Sequence, residues 1–177
     1  MDTFEELFEE TLRDIYYAEK AILKALPKMA KKASSEDLAA AFIAHYEETE
    51  QQVARLEEIF DGMGKTARGK KCPAIDGILK EGAELMKEAK DATVRDAGML
   101  AAAQAVEHYE ISRYGTLKAW AEKLGMTDAA VLLNETLAEE KATDKKLTGL
   151  ADSEINLEAM EGDEDKAPSR QRKKKRV

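Results

Sequence analysis

The chain has 177 residues, 44% apolar and 36% charged, with only 10 Gly and 3 Pro. That composition suits one domain of long helices and lacks the runs of a strand-rich fold. The net charge of −8 conceals an asymmetry: from Lys166 onward there are seven basic residues and no acidic one, so the rest of the chain carries −15. Such a body repels nucleic acid and anionic membranes. A single cysteine, Cys72, excludes an intrachain disulfide. No apolar run reaches a bilayer-spanning length, so no membrane association is expected. The acidic start, Met1 to Glu6, does not have the pattern of a signal peptide. A cytoplasmic location is the expectation.

The first helix is expected from Asp2 or Thr3 to about Ala33, with Phe8, Leu12, Ile15, Glu19, Ile22, Leu26 and Met29 at steps of three and four. Pro27 falls inside it and is a candidate kink. Ser34-Ser35-Glu36-Asp37 caps a second helix, Glu36 to Phe60, whose stripe is Leu38, Phe42, His45, Thr49, Gln52, Leu56 and Ile59. Residues 62–74 read as a loop, and a short amphipathic helix from about Ile75 to Ala89 follows. A third long helix, Thr93 to Leu124, carries Leu100, Ala103, Glu107, Glu110, Tyr114, Leu117 and Ala121 on one face. Gly125 ends it, and Thr127-Asp128 is expected to cap a fourth, which runs to Leu150 with Leu132, Thr136, Glu139, Thr143 and Leu147 inward.

Tight links within each helix pair and one long link between pairs predict an all-α, antiparallel, ferritin-like four-helix bundle with a short fifth helix in the crossover. Residues 1–160 form this domain, and 161–177 form an acidic-to-basic tail expected to be disordered. A shift of 91 residues aligns the two hairpins without gaps and sets Glu19 on Glu110 and Glu48 on Glu139.

Each long helix has polar residues at mid-height in its apolar stripe. They are Glu19; His45, Glu48, Thr49 and Gln52; Gln104, Glu107 and Glu110; and Thr136, Glu139 and Thr143. Four close buried carboxylates must protonate, meet water or bind cations, and two divalent ions would neutralise them. Hard oxygen donors suit iron or manganese. The competing reading is a polar layer that sets helix register without chemistry. His108 reads as facing away from this band.

Particular segments carry a family resemblance. They are Asp14 to Glu19; His45 through Arg55-Leu56-Glu57; Ala105 to Ile111 with Tyr114 to Leu117; Leu137 to Glu140 with Asp144; and Cys72 before Pro73. Over roughly residues 3–160 the chain resembles the YciE/YciF family of bacterial stress-associated, ferritin-like proteins. The resemblance implies a four-helix bundle, often a homodimer, with a di-iron site and a ferroxidase-like role. The chain departs from the ferritin ligand pattern: Gln51 and Ala142 stand where a Glu-x-x-His would place histidines.

The leading expectation is a metal-binding stress protein holding two Fe ions, or Mn, through Glu19, Glu48, Glu110 and Glu139, with Glu107 and His45 as further ligands. The alternative is a non-enzymatic structural or interaction module. In either case the Arg170–Arg176 tail offers a weak, non-specific nucleic-acid contact through phosphates.

Overall fold

The computed structural model describes residues 1–164. Helices α1 (Phe4–Lys32), α2 (Glu36–Gly62), α3 (Pro73–Glu88), α4 (Ala92–Lys123) and α5 (Thr127–Leu150) follow in chain order. A π-helical stretch, Ala151–Ile155, then leads into α6 (Asn156–Glu164). The helix extends to Glu164, beyond residue 160. The basic segment Arg170–Arg176 lies outside the described residues.

Local chemistry sets the helix limits. Thr3 and Glu6 close a reciprocal capping box at the start of α1. Ser35 caps α2 by accepting from the Leu38 N–H, and the Asp91 side chain caps α4. Helix α1 runs through Pro27, which lies on its exposed face. Gly64 and Gly125, at φ 67° and 72°, end α2 and α4 in the left-handed conformation. Met126 N–H reaches Ala121 O and Gly125 N–H reaches Glu122 O, so the turn consumes the last carbonyls of α4. This tight closure makes Met126 the residue before α5, without a side-chain cap, so Thr127 and Asp128 fall inside the helix.

The long helices pack in the cyclic order α1, α2, α5, α4, and α3 lies across α1 and α4. The loop after α2 is pinned to α1, where Lys70 N–H donates to Arg13 O and Lys65 pairs with Glu9. At the opposite end, buried Asp96 of α4 accepts from the N–H groups of Ser34 and Ser35 and from the Ser34 hydroxyl. The Ser35 hydroxyl continues to Glu154 in the π-helical stretch. The crossover therefore spans the bundle's length, and both hairpins are locked in register at the α1–α2 turn.

The core runs along the bundle axis. Phe8, Leu12 and Ile15 fill one end with Leu56, Phe60, Leu117 and Ala121, and Leu26, Leu38, Phe42, Met99 and Leu100 fill the other. Trp120 packs edge-on against Phe4 at 5.5 Å between ring centroids. Between the two apolar ends lies a layer of buried polar side chains.

Candidate metal centre

Five ionisable side chains converge in that layer. Glu19 comes from α1, His45 from α2, Glu107 and Glu110 from α4 and Glu140 from α5. Glu19, Glu110 and Glu140 have no solvent exposure, Glu107 has 1% and His45 has 6%. Helical geometry explains the clustering. Glu107 and Glu110, three residues apart, share one face of α4. His45, Glu107, Glu110 and Glu140 can each offer a ligand atom with all four atoms within 4.8 Å of one another.

The hydrogen bonding at this centre is incomplete. Both oxygens of Glu107, Glu110 and Glu140, Oε2 of Glu19 and Nε2 of His45 are sealed from solvent without a hydrogen bond among the described residues. The one close approach puts His45 Nδ1 3.0 Å from Glu107 Oε1, a charge-assisted contact when Nδ1 carries the proton. Glu19 Oε1 accepts a hydrogen bond from the buried Tyr114 hydroxyl. Thr49 spends its hydroxyl on the His45 carbonyl at 2.8 Å, within its own helix. Buried acceptors are almost always satisfied in folded proteins, and a run of unsatisfied ones calls for an ion or protons.

The electrostatics agree. Burial pushes Glu19 up to about 8, reinforced by the charge of Glu140 and opposed by Tyr114 and His45. Burial likewise pushes Glu107 up to about 8. Glu110 and Glu140 are held well above the usual carboxylate range, by burial first and by neighbouring carboxylates second. Without cations, Glu19 with Glu110 and Glu107 with Glu140 are placed to share protons. The donor set is nitrogen and carboxylate oxygen without thiolate, which fits iron or manganese better than a soft ion.

The structure brings together Glu19, His45, Glu107 and Glu110 of the expected set, and it adds Glu140. Glu139 is turned to the seam between α2 and α5, where Arg55 clamps it with two bonds of 2.6 Å and Gln52 donates at 3.3 Å. Glu48 stands at the edge, half-buried, accepting from Thr143 at 3.2 Å. Its charge still reaches inward and helps to raise Glu107 and Glu140. Glu48 and Glu139 line a surface cleft of about 630 Å³ that His45 also borders. His108 is 71% exposed and pairs with Asp144 at 3.2 Å, away from it.

Glu140 could have been found from the repeat. Five residues of the buried face of α2 (Leu38, Phe42, His45, Thr49 and Leu56), moved by 91 residues, land on Ala129, Leu133, Thr136, Glu140 and Leu147, all of them buried, while buried Gln52 and Ile59 land on half-buried Thr143 and Leu150. Glu48 and Glu139 are each one position off that face. The carboxylates that match by identity under the 91-residue shift, Glu48 and Glu139, are this flanking pair.

Two antiparallel hairpins joined by a long crossover, with glutamates converging at mid-height, define a ferritin-like bundle. The chain belongs to the family described as Domain of unknown function (DUF892), which matches residues 3–160. Protein YciF of Escherichia coli K12 is 46% identical over 160 residues, covering 90% of this chain and 96% of that one. The crystal structure of the E. coli stress protein YciF superposes with a TM-score of 0.84 over 88% of this chain and 99% of that one. YcfI from Rhodopseudomonas palustris is 52% identical, with a TM-score of 0.82 over 83% and 94% of the two chains. A ferritin-like, diiron-carboxylate protein from Bacillus anthracis matches with a TM-score of 0.62 at 22% identity, over 85% and 98% of the chains, and so shares the fold. The resemblance to the YciE/YciF family is thereby borne out. The ferritin-like fold and the buried His/Glu cluster fit a metal-binding role, and no helix among the described residues is long and apolar enough to cross a membrane.

Proposed function

We propose that this protein binds two divalent transition-metal ions, iron in the first place and manganese in the second, at Glu19, His45, Glu107, Glu110 and Glu140, with Glu48 at the edge. The observation that carries the reading is the set of sealed, unbonded atoms at the centre: both oxygens of three glutamates, one of a fourth, and a histidine nitrogen. Four carboxylates balance two divalent charges, whereas four buried charges without cations would be very costly. The ferritin-like, diiron-carboxylate character of a protein with the same fold supports iron.

The metal, when bound, would supply redox chemistry toward oxygen or peroxide. The chain's own residues do the rest. Tyr114 holds one oxygen of Glu19 and leaves the other toward the centre. His45 offers one nitrogen to Glu107 and keeps the other free of any bond among the described residues. In the cleft, Glu139 is neutralised by Arg55, and Glu47 and Glu48 are left to favour cations against Lys146. We place the protein among stress proteins on its identity with YciF.

Anaerobic titration with Fe(II), with elemental analysis of the washed protein, tests the reading. Two equivalents are expected in the unaltered chain, and at most one in Glu140→Gln or Glu19→Ala. Substoichiometric metal unaffected by either change would leave a metal-free, proton-sharing polar layer as the answer, and hence the structural-module alternative.

A further inference from the structure

On the far side of the bundle from the acidic cleft, α3 does not seal its seat on α1 and α4. An open groove of about 230 Å³ runs between them. Apart from Lys24 and Lys28 on α1, its lining is entirely Ala, Gly, Ile, Leu, Met and Val, including Met29, Leu79, Met86 and Val106. At its inner end the same Met29, Leu79 and Val106 border a small gap of about 20 Å³ whose far wall is His45 and Glu107. At its outer end it shares Lys28, Ala83 and Met86 with a cleft whose other polar residues are Lys32, Lys87, Lys90 and Arg95. Among the described residues, no carboxylate lines that cleft.

This concentration of charge is out of place. The chain up to residue 165 carries −15, yet five cations meet here, and none of them makes an ion pair among the described residues. The Nε of Arg95 is shielded from solvent and has no acceptor among the described residues. Isolated surface lysines are usually just solvated, but here the cationic end is continuous with a narrow apolar groove. One ligand chemistry matches both ends: an acidic head for the cleft and a single unbranched hydrocarbon chain for the groove.

We propose that the α1–α3–α4 groove binds a medium-chain carboxylate. Its head sits among Lys28, Lys32, Lys87, Lys90 and Arg95, and its chain lies under α3 with its end toward the wall formed by His45 and Glu107. The site stands without bound metal, so its failure and that of the metal reading are separable.

The test is calorimetric titration of metal-free, full-length protein with decanoate, with hexanoate and decanol as comparators. Decanoate is expected to bind about tenfold more tightly than either comparator. Lys28→Glu combined with Lys87→Glu, both on exposed positions, should weaken decanoate about tenfold and leave decanol unchanged. Ala83→Trp, which fills the groove from its exposed rim, should weaken both. As a measurement that needs no variant, decanoate should shift the methyl resonances of Met29, Met86 and Met99 and leave Met126 in place. Several outcomes would overturn the proposal: no saturable binding of decanoate, equal affinity in the charge-reversed protein, or shifts confined to other methionines. Binding to anionic phospholipid vesicles without binding of monomeric decanoate would also overturn it, in favour of a membrane surface.

Discussion

Arg55 grips both oxygens of Glu139, each at 2.6 Å, while Glu140, the next residue, is sealed against His45 on the opposite side of the seam. Two neighbouring carboxylates thus have different roles. Glu139→Gln should cost about 1 kcal/mol, since the pair is partly solvated, and should leave the metal stoichiometry intact. Glu140→Gln should remove at least one equivalent of bound metal. Elemental analysis and urea denaturation of the two variants side by side would reveal any exchange of roles.

The buried glutamates make stability depend on pH in an unusual direction. Burial holds Glu19 and Glu107 up at about 8 and holds Glu110 and Glu140 well above the usual range, against 4.5 ordinarily. Between those limits the folded, metal-free protein carries more protons than the unfolded chain, so its unfolding free energy falls as pH rises. This contribution is whole below the unfolded value and is lost as pH climbs through the folded one. The urea midpoint of metal-stripped protein should therefore be lower at pH 9 than at pH 6. Bound divalent ions displace those protons and should remove or reverse the slope. A metal-stripped midpoint that rose toward pH 9 would contradict the assignment of buried, protonated carboxyls.

Tyr114 is fully buried, and its hydroxyl ends on Glu19. Tyr114→Phe keeps the ring and leaves a buried carboxyl oxygen without its donor. The expected loss is about 1–3 kcal/mol of stability in metal-free protein. Metal affinity should fall about tenfold or more, as is typical when a partner that orients a ligand is removed. Competition titration against a chelator measures the second effect independently of the first.

Asp96 lies far from the centre and ties the α1–α2 turn to α4. Asp96→Ala strips the acceptor from two backbone N–H groups and one hydroxyl, and should cost about 3 kcal/mol. The metal content of the folded fraction should match that of the unaltered protein. A matching loss of metal would mean that the hairpin register itself positions the ligands.

The fold was legible because three signals agreed: helical periodicity, capping residues at Thr3 and Ser35, and loop lengths that force two antiparallel hairpins. The site was legible in height but not fully in azimuth. Glu19, Glu107, Glu110 and His45 lie on stripes that apolar neighbours define clearly. On α5, the adjacent pairs Leu132-Leu133 and Glu139-Glu140 allow two faces, and only packing against α2 chooses between them. Arg55 was equally hidden, because a cation reaching across the seam at Glu139 leaves no periodic trace. The groove beneath α3 depends on how the crossover helix seats, which the sequence of α3 alone does not determine.

A hairpin used twice would by default enclose a cage with matching halves. Here the halves differ where they meet: Thr136 and Glu140 in the second hairpin stand where the first has His45 and Thr49. The single nitrogen donor comes from α2 and the extra carboxylate from α5, and their ligand atoms lie within 4.8 Å of each other, in a group that does not include Glu19. Two ions held there would not be equivalent, so loading should be stepwise, with a nitrogen-bearing position and an all-oxygen position distinguishable by spectroscopy at half occupancy.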